Sequence, residues 1–233
     1  MNHSLSLPAR ILAHTGPIPM ESESIGRSGA GVFRMGDMYL KTAPEGDLVR
    51  SAQAQEYFHK KGLSAPLIAF EQDNGRDWLL VKSVPGAYAC SRTLMNQPDR
   101  LARVLGETVR MLHETDASDC PMTDANDRAL AAYEKETGAA FSGNLSVLKK
   151  ETLIHGDMCL PNIFFHEDYR FTGFIDLGDS GLGDRHFDLY WAMWSLAYNL
   201  KTDAYNETFL TAYGRDAFDA ARYEICAAIS KGV

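Results

Sequence analysis

Three oxygen-bearing side chains stand out by type and spacing. Asp157 and Asn162 lie five residues apart in His155-Gly156-Asp157-Met158-Cys159-Leu160-Pro161-Asn162. Asp176 follows 14 residues beyond the amide, in Gly173-Phe174-Ile175-Asp176-Leu177-Gly178. An amide oxygen and a carboxylate are hard donors of the kind Mg²⁺ selects. Two carboxylates and an amide in this order and spacing resemble a phosphoryl-transfer site. Singly, each residue also reads as a helix cap or a turn residue; their order and strand context together favour the site. A metal-hydrolase pairing of His155 with Asp157 is weaker, because no other His stands at ligand spacing. Met158 and Cys159 read as packing. Upstream, Lys41 closes the run Met38-Tyr39-Leu40-Lys41, where a strand lysine could reach nucleotide phosphates. Gly26-Arg27-Ser28-Gly29-Ala30-Gly31 could lay backbone N–H groups over the same phosphates, though such loops also occur simply as turns.

These groups need elements to hold them. Val32–Arg34 and Met38–Leu40 are short β-prone runs about Met35-Gly36-Asp37, and Leu67–Phe70 and Trp78–Val81 flank Asp73-Asn74-Gly75; both patterns predict hairpins. Between them, residues 46–61 read as a helix ending in Lys60-Lys61-Gly62. Beyond Pro85-Gly86, Leu101, Val104, Leu105, Thr108 and Leu112 recur at helical steps and predict one buried stripe. Ala131–Lys150 reads as helix plus loop. Leu153-Ile154-His155 predicts a strand end, and Ile163–Phe165 with Phe171–Ile175 a further hairpin. From Asp184 to about Ala228 the chain reads as mostly helical. The whole is sheet-rich first and helix-rich second, with lobes expected over 1–84 and 85–233.

Composition narrows the partners. Lys plus Arg is 23 against 31 Asp plus Glu, a formal charge of 23 − 31 = −8. A nucleic-acid or anionic-membrane binder shows the opposite balance, so neither is expected; the acidity suits a cationic partner. Cys90, Cys120, Cys159 and Cys226 include no CxxC pair, which predicts reduced thiols rather than zinc. The N-terminus lacks the continuous apolar core of a secretory signal, and the best apolar span, Leu189–Leu200, is too short to cross a bilayer. A cytoplasmic location is expected.

HGDMCLPNIFF with FTGFIDLGDSGLGDRHFDL resembles the aminoglycoside O-phosphotransferases, especially the 3′-type enzymes, and SGAGVFRM, MYLKT and GRDWLLVKSVPG carry the likeness over most of the chain. The resemblance implies an α+β, bilobal protein-kinase-like fold with a small β-rich N-lobe, a larger helical C-lobe, and ATP with Mg²⁺ in the cleft. It implies Asp157 as the catalytic Asp and Asn162 and Asp176 as the magnesium ligands. Lys41 would be the nucleotide lysine, Ser28 the phosphate-loop serine, and the backbone of Lys82 and Val84 the adenine hinge. His155, Asp184, Arg185 and Asp188 would brace the site, and a cationic aminoglycoside would be the acceptor.

The chain departs from that pattern in four places. Ser51 stands where the family's helix supplies a Glu for the strand lysine; Glu56 lies about 140° around a helix from it, leaving Glu45, Asp47 or Glu56 as substitutes. Asp179 replaces the Arg that usually follows IDLG, and becomes a candidate acceptor group alongside Asp124, Asp127, Glu134 and Glu136. The segment Ala131–Lys150 is shorter than the family's acidic lid, and the C-terminus, Ala227-Ala228-Ile229-Ser230-Lys231-Gly232-Val233, lacks the acidic and aromatic residues the family commonly ends in. A kinase-like enzyme for another alcohol, such as a macrolide or a metabolite, and a nucleotide-binding module without turnover stay open beside the aminoglycoside reading.

Overall fold

Turn chemistry organises the first part of the chain. The computed structural model describes residues 7–23 and 31–232. Its elements begin with α1 (Ala9–Thr15), β1 (Glu21–Glu23), β2 (Gly31–Met35), β3 (Met38–Pro44), α2 (Val49–Lys60), β4 (Leu67–Asp73) and β5 (Arg76–Lys82). β2 and β3 pair Met35 with Met38 across Gly36, and β4 and β5 pair Asp73 with Arg76 across Asn74 and Gly75, both at positive φ, as a tight reversal requires. The result is one antiparallel sheet in the order β1-β2-β3-β5-β4. Alternation along β3 and β5 splits the apolar residues between its faces. Met38, Leu40, Trp78 and Leu80 pack with Ile11 of α1, while Ala43 and Leu79 pack with Leu48 and Ala52 beside and within α2. Removing a Leu such as Leu40 (0% exposed) from water contributes about 1.5–3 kcal/mol.

α2 begins later than its sequence suggests, at Val49, because the chain first turns through Pro44–Leu48. Asp77, on β5 and fully buried, holds that turn: its carboxylate accepts from the backbone N–H of Gly46 (3.0 Å) and Leu48 (2.8 Å) and from Gln72 Nε2 (2.9 Å). These bonds satisfy donors that a helix start otherwise leaves without partners.

The chain divides into two compact units, Met1–Val84 and Pro85–Val233. The second comprises β6 (Ala87–Tyr88), α3 (Arg92–Met95), α4 (Pro98–His113), α5 (Ala125–Thr137), β7 (Thr152–Ile154), β8 (Ile163–Phe165), β9 (Phe171–Phe174), β10 (Gly181–Gly183), α6 (His186–Leu200), α7 (Asn206–Tyr213) and α8 (Ala220–Ser230). The predicted stripe of α4 buries Leu101, Leu105 and Leu112 completely, and Gly106 lets α7 approach so closely that an added Cβ would lie 2.4 Å from the Phe209 carbonyl oxygen. α5 stops at Gly138, in the left-handed conformation that closes helices, so only part of Ala131–Lys150 is helical. Asp219 caps α8 by accepting from Ala221 N and Arg222 N. Two small sheets, β10-β7 and β6-β8-β9, frame the catalytic segment. β6 and β10 have two and three residues, too few for an alternating pattern to announce them. The molecule is α+β with a protein-kinase-like fold. No disulfide joins the four cysteines, and among the described residues no helix is long and apolar enough to cross a membrane.

Candidate active site

β7 delivers the chain to His155 and β8 carries it away after Asn162, so the segment between is a loop anchored at both ends. The fully buried His155 ring donates from Nε2 to the Ile175 carbonyl (2.9 Å), which leaves Nδ1 to accept from the Asp157 N–H (3.3 Å). Asn162 Nδ2 donates to both the Asp157 carbonyl (2.9 Å) and Oδ2 (2.8 Å), and the Asn162 carbonyl accepts from Ile175 N (3.0 Å). Asp157 and Asn162 are thus in direct contact, and both are tied to the residue preceding Asp176. Asp176 itself is exposed and left-handed (φ 61°, ψ 53°), a conformation that Asp tolerates better than most residues and that marks local strain. Gly156 is required where it stands: its φ is +87°, and a Cβ there would lie 2.4 Å from the Asp179 carbonyl oxygen. The two loops touch through that contact.

Two buried carboxylates lie beside this arrangement, Asp188 in the first turn of α6, which holds the loop, and Asp184 just before the helix. Asp188 Oδ1 accepts from Gly156 N (2.9 Å), and its Oδ2 from His155 N (2.8 Å) and His113 Nε2 (3.1 Å). Asp184 Oδ1 accepts from the backbone and ring nitrogens of His186 (3.0 and 2.7 Å), and Oδ2 from Lys149 N (2.9 Å) and Arg222 Nε (2.8 Å). Burial alone would raise the Asp184 pKa; the bonds from His186, the Lys149 amide and Arg222 outweigh it and lower the value to about 2. Arg185 bonds Thr152 Oγ1 (3.3 Å). Further along α6, the Ser195 hydroxyl accepts from Leu160 N (3.0 Å) and pins the far side of the loop.

His113, Ser195 and Arg222 were not singled out in the sequence. His113 ends the apolar stripe of α4, the one trace it left; burial lowers its pKa, and its Nδ1 faces the Tyr213 hydroxyl at 2.9 Å. The Cys159 thiol is pushed up by burial and by the neighbouring Asp157 carboxylate, so it is no nucleophile.

In the first unit, Lys41 pairs with Leu79 and so belongs to the sheet face covered by α2. Ser51 is half-buried on α2, whereas Glu56 lies on its exposed side and pairs with Lys60 (3.0 Å); Glu45 and Asp47 are exposed in the preceding turn. Lys82 forms an ion pair with Asp37, whose carboxyl that bond holds below its usual range. The Lys82 N–H bonds the Pro66 carbonyl (3.1 Å), and Val84 is buried. Ser28 and Gly26–Ala30 lie outside the described residues.

The acidic acceptor candidates are partly committed. Asp179 pairs with Arg128 (3.1 Å) and Asp127 with Lys150 (2.6 Å), while Glu134 and Glu136 stand exposed on α5 and Asp124 precedes it.

The donor set fits a divalent cation in one specific way. No cluster of three or more His, Cys, Asp or Glu suited to a metal occurs among the described residues. With its Nδ2 committed to Asp157, however, Asn162 presents Oδ1 as a ligand, and Asp176 offers a carboxylate on the adjoining loop. One amide oxygen and one carboxylate, completed by phosphate oxygens and water, is how Mg²⁺ binds in nucleotide sites.

Residues 24–225 match the model of the phosphotransferase enzyme family. The chain is 38% identical over 208 residues to a probable aminoglycoside 3′-phosphotransferase of Lactococcus lactis subsp. lactis (strain IL1403), covering 80% of this chain and 79% of that protein. Among solved structures, an aminoglycoside-3′-phosphotransferase of type VIII superposes with a TM-score of 0.74 at 23% identity, over 96% of this chain and 98% of that one. The aminoglycoside phosphotransferase APH(3″)-Id from Streptomyces rimosus, in complex with ADP and streptomycin, superposes with a TM-score of 0.71 at 21% identity, over 94% and 95%.

Proposed function

Since the chain belongs to the phosphotransferase enzyme family, we propose that it transfers the γ-phosphoryl group of ATP to a hydroxyl of an aminoglycoside. The observation that carries this is the Asn162–Asp157 contact on a loop braced by Asp188. One side chain fixes the carboxylate's orientation while keeping its own oxygen for a metal. Asp157 receives the acceptor's O–H and takes its proton as the oxygen attacks phosphorus. Lys41 and the serine of the glycine-rich loop, Ser28, bind the phosphates of the donor, and the Lys82 carbonyl and Val84 backbone bind its base. Asn162 and Asp176 would hold Mg²⁺, which would supply positive charge to offset negative charge on the transferred group. Binding ADP and streptomycin together, as the Streptomyces rimosus enzyme does, is the precedent for a nucleotide beside a cationic acceptor. With ATP as its phosphoryl donor, the enzyme would act in the cytoplasm.

The test is mass spectrometry of a mixed aminoglycoside panel incubated with the enzyme, ATP and Mg²⁺. One phosphoryl group added to at least one member is expected. If no member is modified while macrolides or small metabolic alcohols are, the acceptor assignment is wrong; if ATP is bound and nothing is modified, so is the enzyme reading.

A further inference from the structure

Three helices of the second unit, α4, α6 and α7, meet over a buried run of hydrogen bonds. α4 and α7 pack closely because Gly106 carries no side chain: a Cβ there would lie 2.4 Å from the Phe209 carbonyl oxygen and 2.9 Å from Tyr213 N. About two helical turns further along α4, that approach brings the last residues of both helices, His113 and Tyr213, into contact across 100 residues of sequence. Tyr213 is 1% exposed. Its ring meets the His113 ring edge-on, with centroids 5.6 Å apart, and lies parallel to that of Phe209. Arg110 holds it from α4, with the guanidinium over the ring and Nη1 on the Tyr213 carbonyl (3.3 Å). A phenylalanine would fill the same space, so the hydroxyl is the part that packing does not require.

The direction of each bond follows from what the groups can do. The Asp188 carboxylate only accepts, so the His113 Nε2 that faces its Oδ2 at 3.1 Å carries a proton. The other ring nitrogen, Nδ1, faces the Tyr213 hydroxyl at 2.9 Å. Burial pushes that hydroxyl up to about 12, so it keeps its proton, and Arg185, which can only donate, bonds the same oxygen. The phenolic proton is therefore left for Nδ1, and the His113 ring is neutral. Burial, with Arg185 and His186 nearby, lowers the His113 pKa against the pull of Asp188 and keeps it so. Arg185, Tyr213, His113 and Asp188 thus form a one-way run of donors ending on the carboxylate that bonds His155 N and Gly156 N. Without a donor at Nδ1 the proton could sit on either ring nitrogen, and on Nδ1 it would turn the Nε2 lone pair toward Asp188.

We propose that Tyr213 is a positioning residue for phosphoryl transfer: by donating to His113 Nδ1 it fixes the His113 proton on Nε2, where it gives Asp188 its third hydrogen bond and keeps that carboxylate seated on the catalytic loop. The proposal rests on the phosphoryl-transfer reading above. Its test combines histidine ¹⁵N NMR of the full chain with steady-state kinetics on ATP, Mg²⁺ and kanamycin. In the wild type the His113 ring should carry a proton on Nε2 and none on Nδ1 from about pH 6 to 8. Tyr213→Phe should melt cooperatively and lose that fixed pattern. Its kcat should fall about tenfold with both KM values within about twofold, as expected for a displaced reacting group rather than a lost binding contact. His113→Gln offers one amide donor to Asp188 and one acceptor to Tyr213, so its kcat should stay within about threefold of the wild type. An amide has no tautomer to fix, so adding Tyr213→Phe to His113→Gln should lower kcat by less than about threefold.

A proton on Nδ1 in the wild type overturns the proposal without recourse to any variant. So does Tyr213→Phe with an unaltered His113 pattern or an unaltered kcat, or a kcat loss as large in the His113→Gln background as in the wild type. Loss of cooperative melting in Tyr213→Phe, or a rise in both KM values with the fall in kcat, makes the residue structural and overturns it as well. No transfer to any aminoglycoside, with the His113 proton found on Nε2, overturns the transfer reading and not the order of the bonds.

Discussion

The two ends of α6 are built on opposite principles. At its start, Asp184 and Asp188 are fully buried and each accepts at least three hydrogen bonds, two of those on Asp188 from backbone N–H groups of the catalytic loop. Toward its end, Trp194 and Tyr198 are half open to solvent and stack on each other, with Trp191 edge-on to Trp194 and Lys201 over Tyr198. Proton transfer tolerates little displacement, so its loop is fixed by directional bonds shielded from water. Substitutions near the first end should therefore cost turnover and stability together, and those near the exposed second end should cost little stability.

The largest expected effect is that of Asp157→Asn, which keeps the shape of the loop and removes the proton acceptor. Its kcat should fall by about 10²–10⁴ with melting temperature and ATP binding retained; a near-normal kcat would show that another group takes the proton. Next is Asp188→Ala, which leaves three donors, His155 N, Gly156 N and His113 Nε2, without their acceptor. Denaturant unfolding should show a loss of about 3 kcal/mol, accompanied by a fall in kcat; a stable variant with low activity would mean that the brace orients the loop without supporting the fold.

Asp184 sharpens the comparison through pH. Its folded pKa, about 2, lies below the ordinary value of 3.8, so its stabilisation is present above about pH 4 and lost as pH falls toward 2. The shift corresponds to about 2 kcal/mol. Asp184→Asn should abolish that segment of the stability-versus-pH curve, and an unchanged acid limb would assign it to other carboxylates. The smallest effect is expected from Glu56→Gln. An exposed pair with Lys60 contributes less than about 0.5 kcal/mol, and the ATP KM should not move. A raised ATP KM would make Glu56 the acid that serves Lys41 in place of the missing Glu at Ser51.

Local signals carried much of this protein. Gly36 and Asn74-Gly75 announce their hairpins because positive φ selects a few residue types, and the α4 stripe follows from helical period alone. The chemistry of Asp157, Asn162 and Asp176 was legible for a similar reason: oxygen donors of those types at that spacing serve few reactions, and the spacing survives in the chain itself. The boundaries of α2 and α5 were less legible. Asp77 reaches back 29 residues to set the start of α2, and no window along the sequence contains that bond.

What folding alone decided are the contacts between residues far apart in the chain. Composition offered five acids as acceptor groups, but only the three-dimensional arrangement pairs Asp179 with Arg128, 51 residues away, and Asp127 with Lys150. Trp191 and Trp194 fall in a segment that reads simply as helical and available to the core, because a helical stripe does not say which part of it a neighbouring helix covers. The packing of α8 along α6 encloses Tyr190 and leaves Trp194 and Tyr198 open. Asp157, Asn162 and Asp176 name the reaction from the sequence, but the geometry of the loop depends on Asp188, which accepts from His155 N across 33 residues, because a buried carboxylate bonds whichever amide donors the fold brings to it.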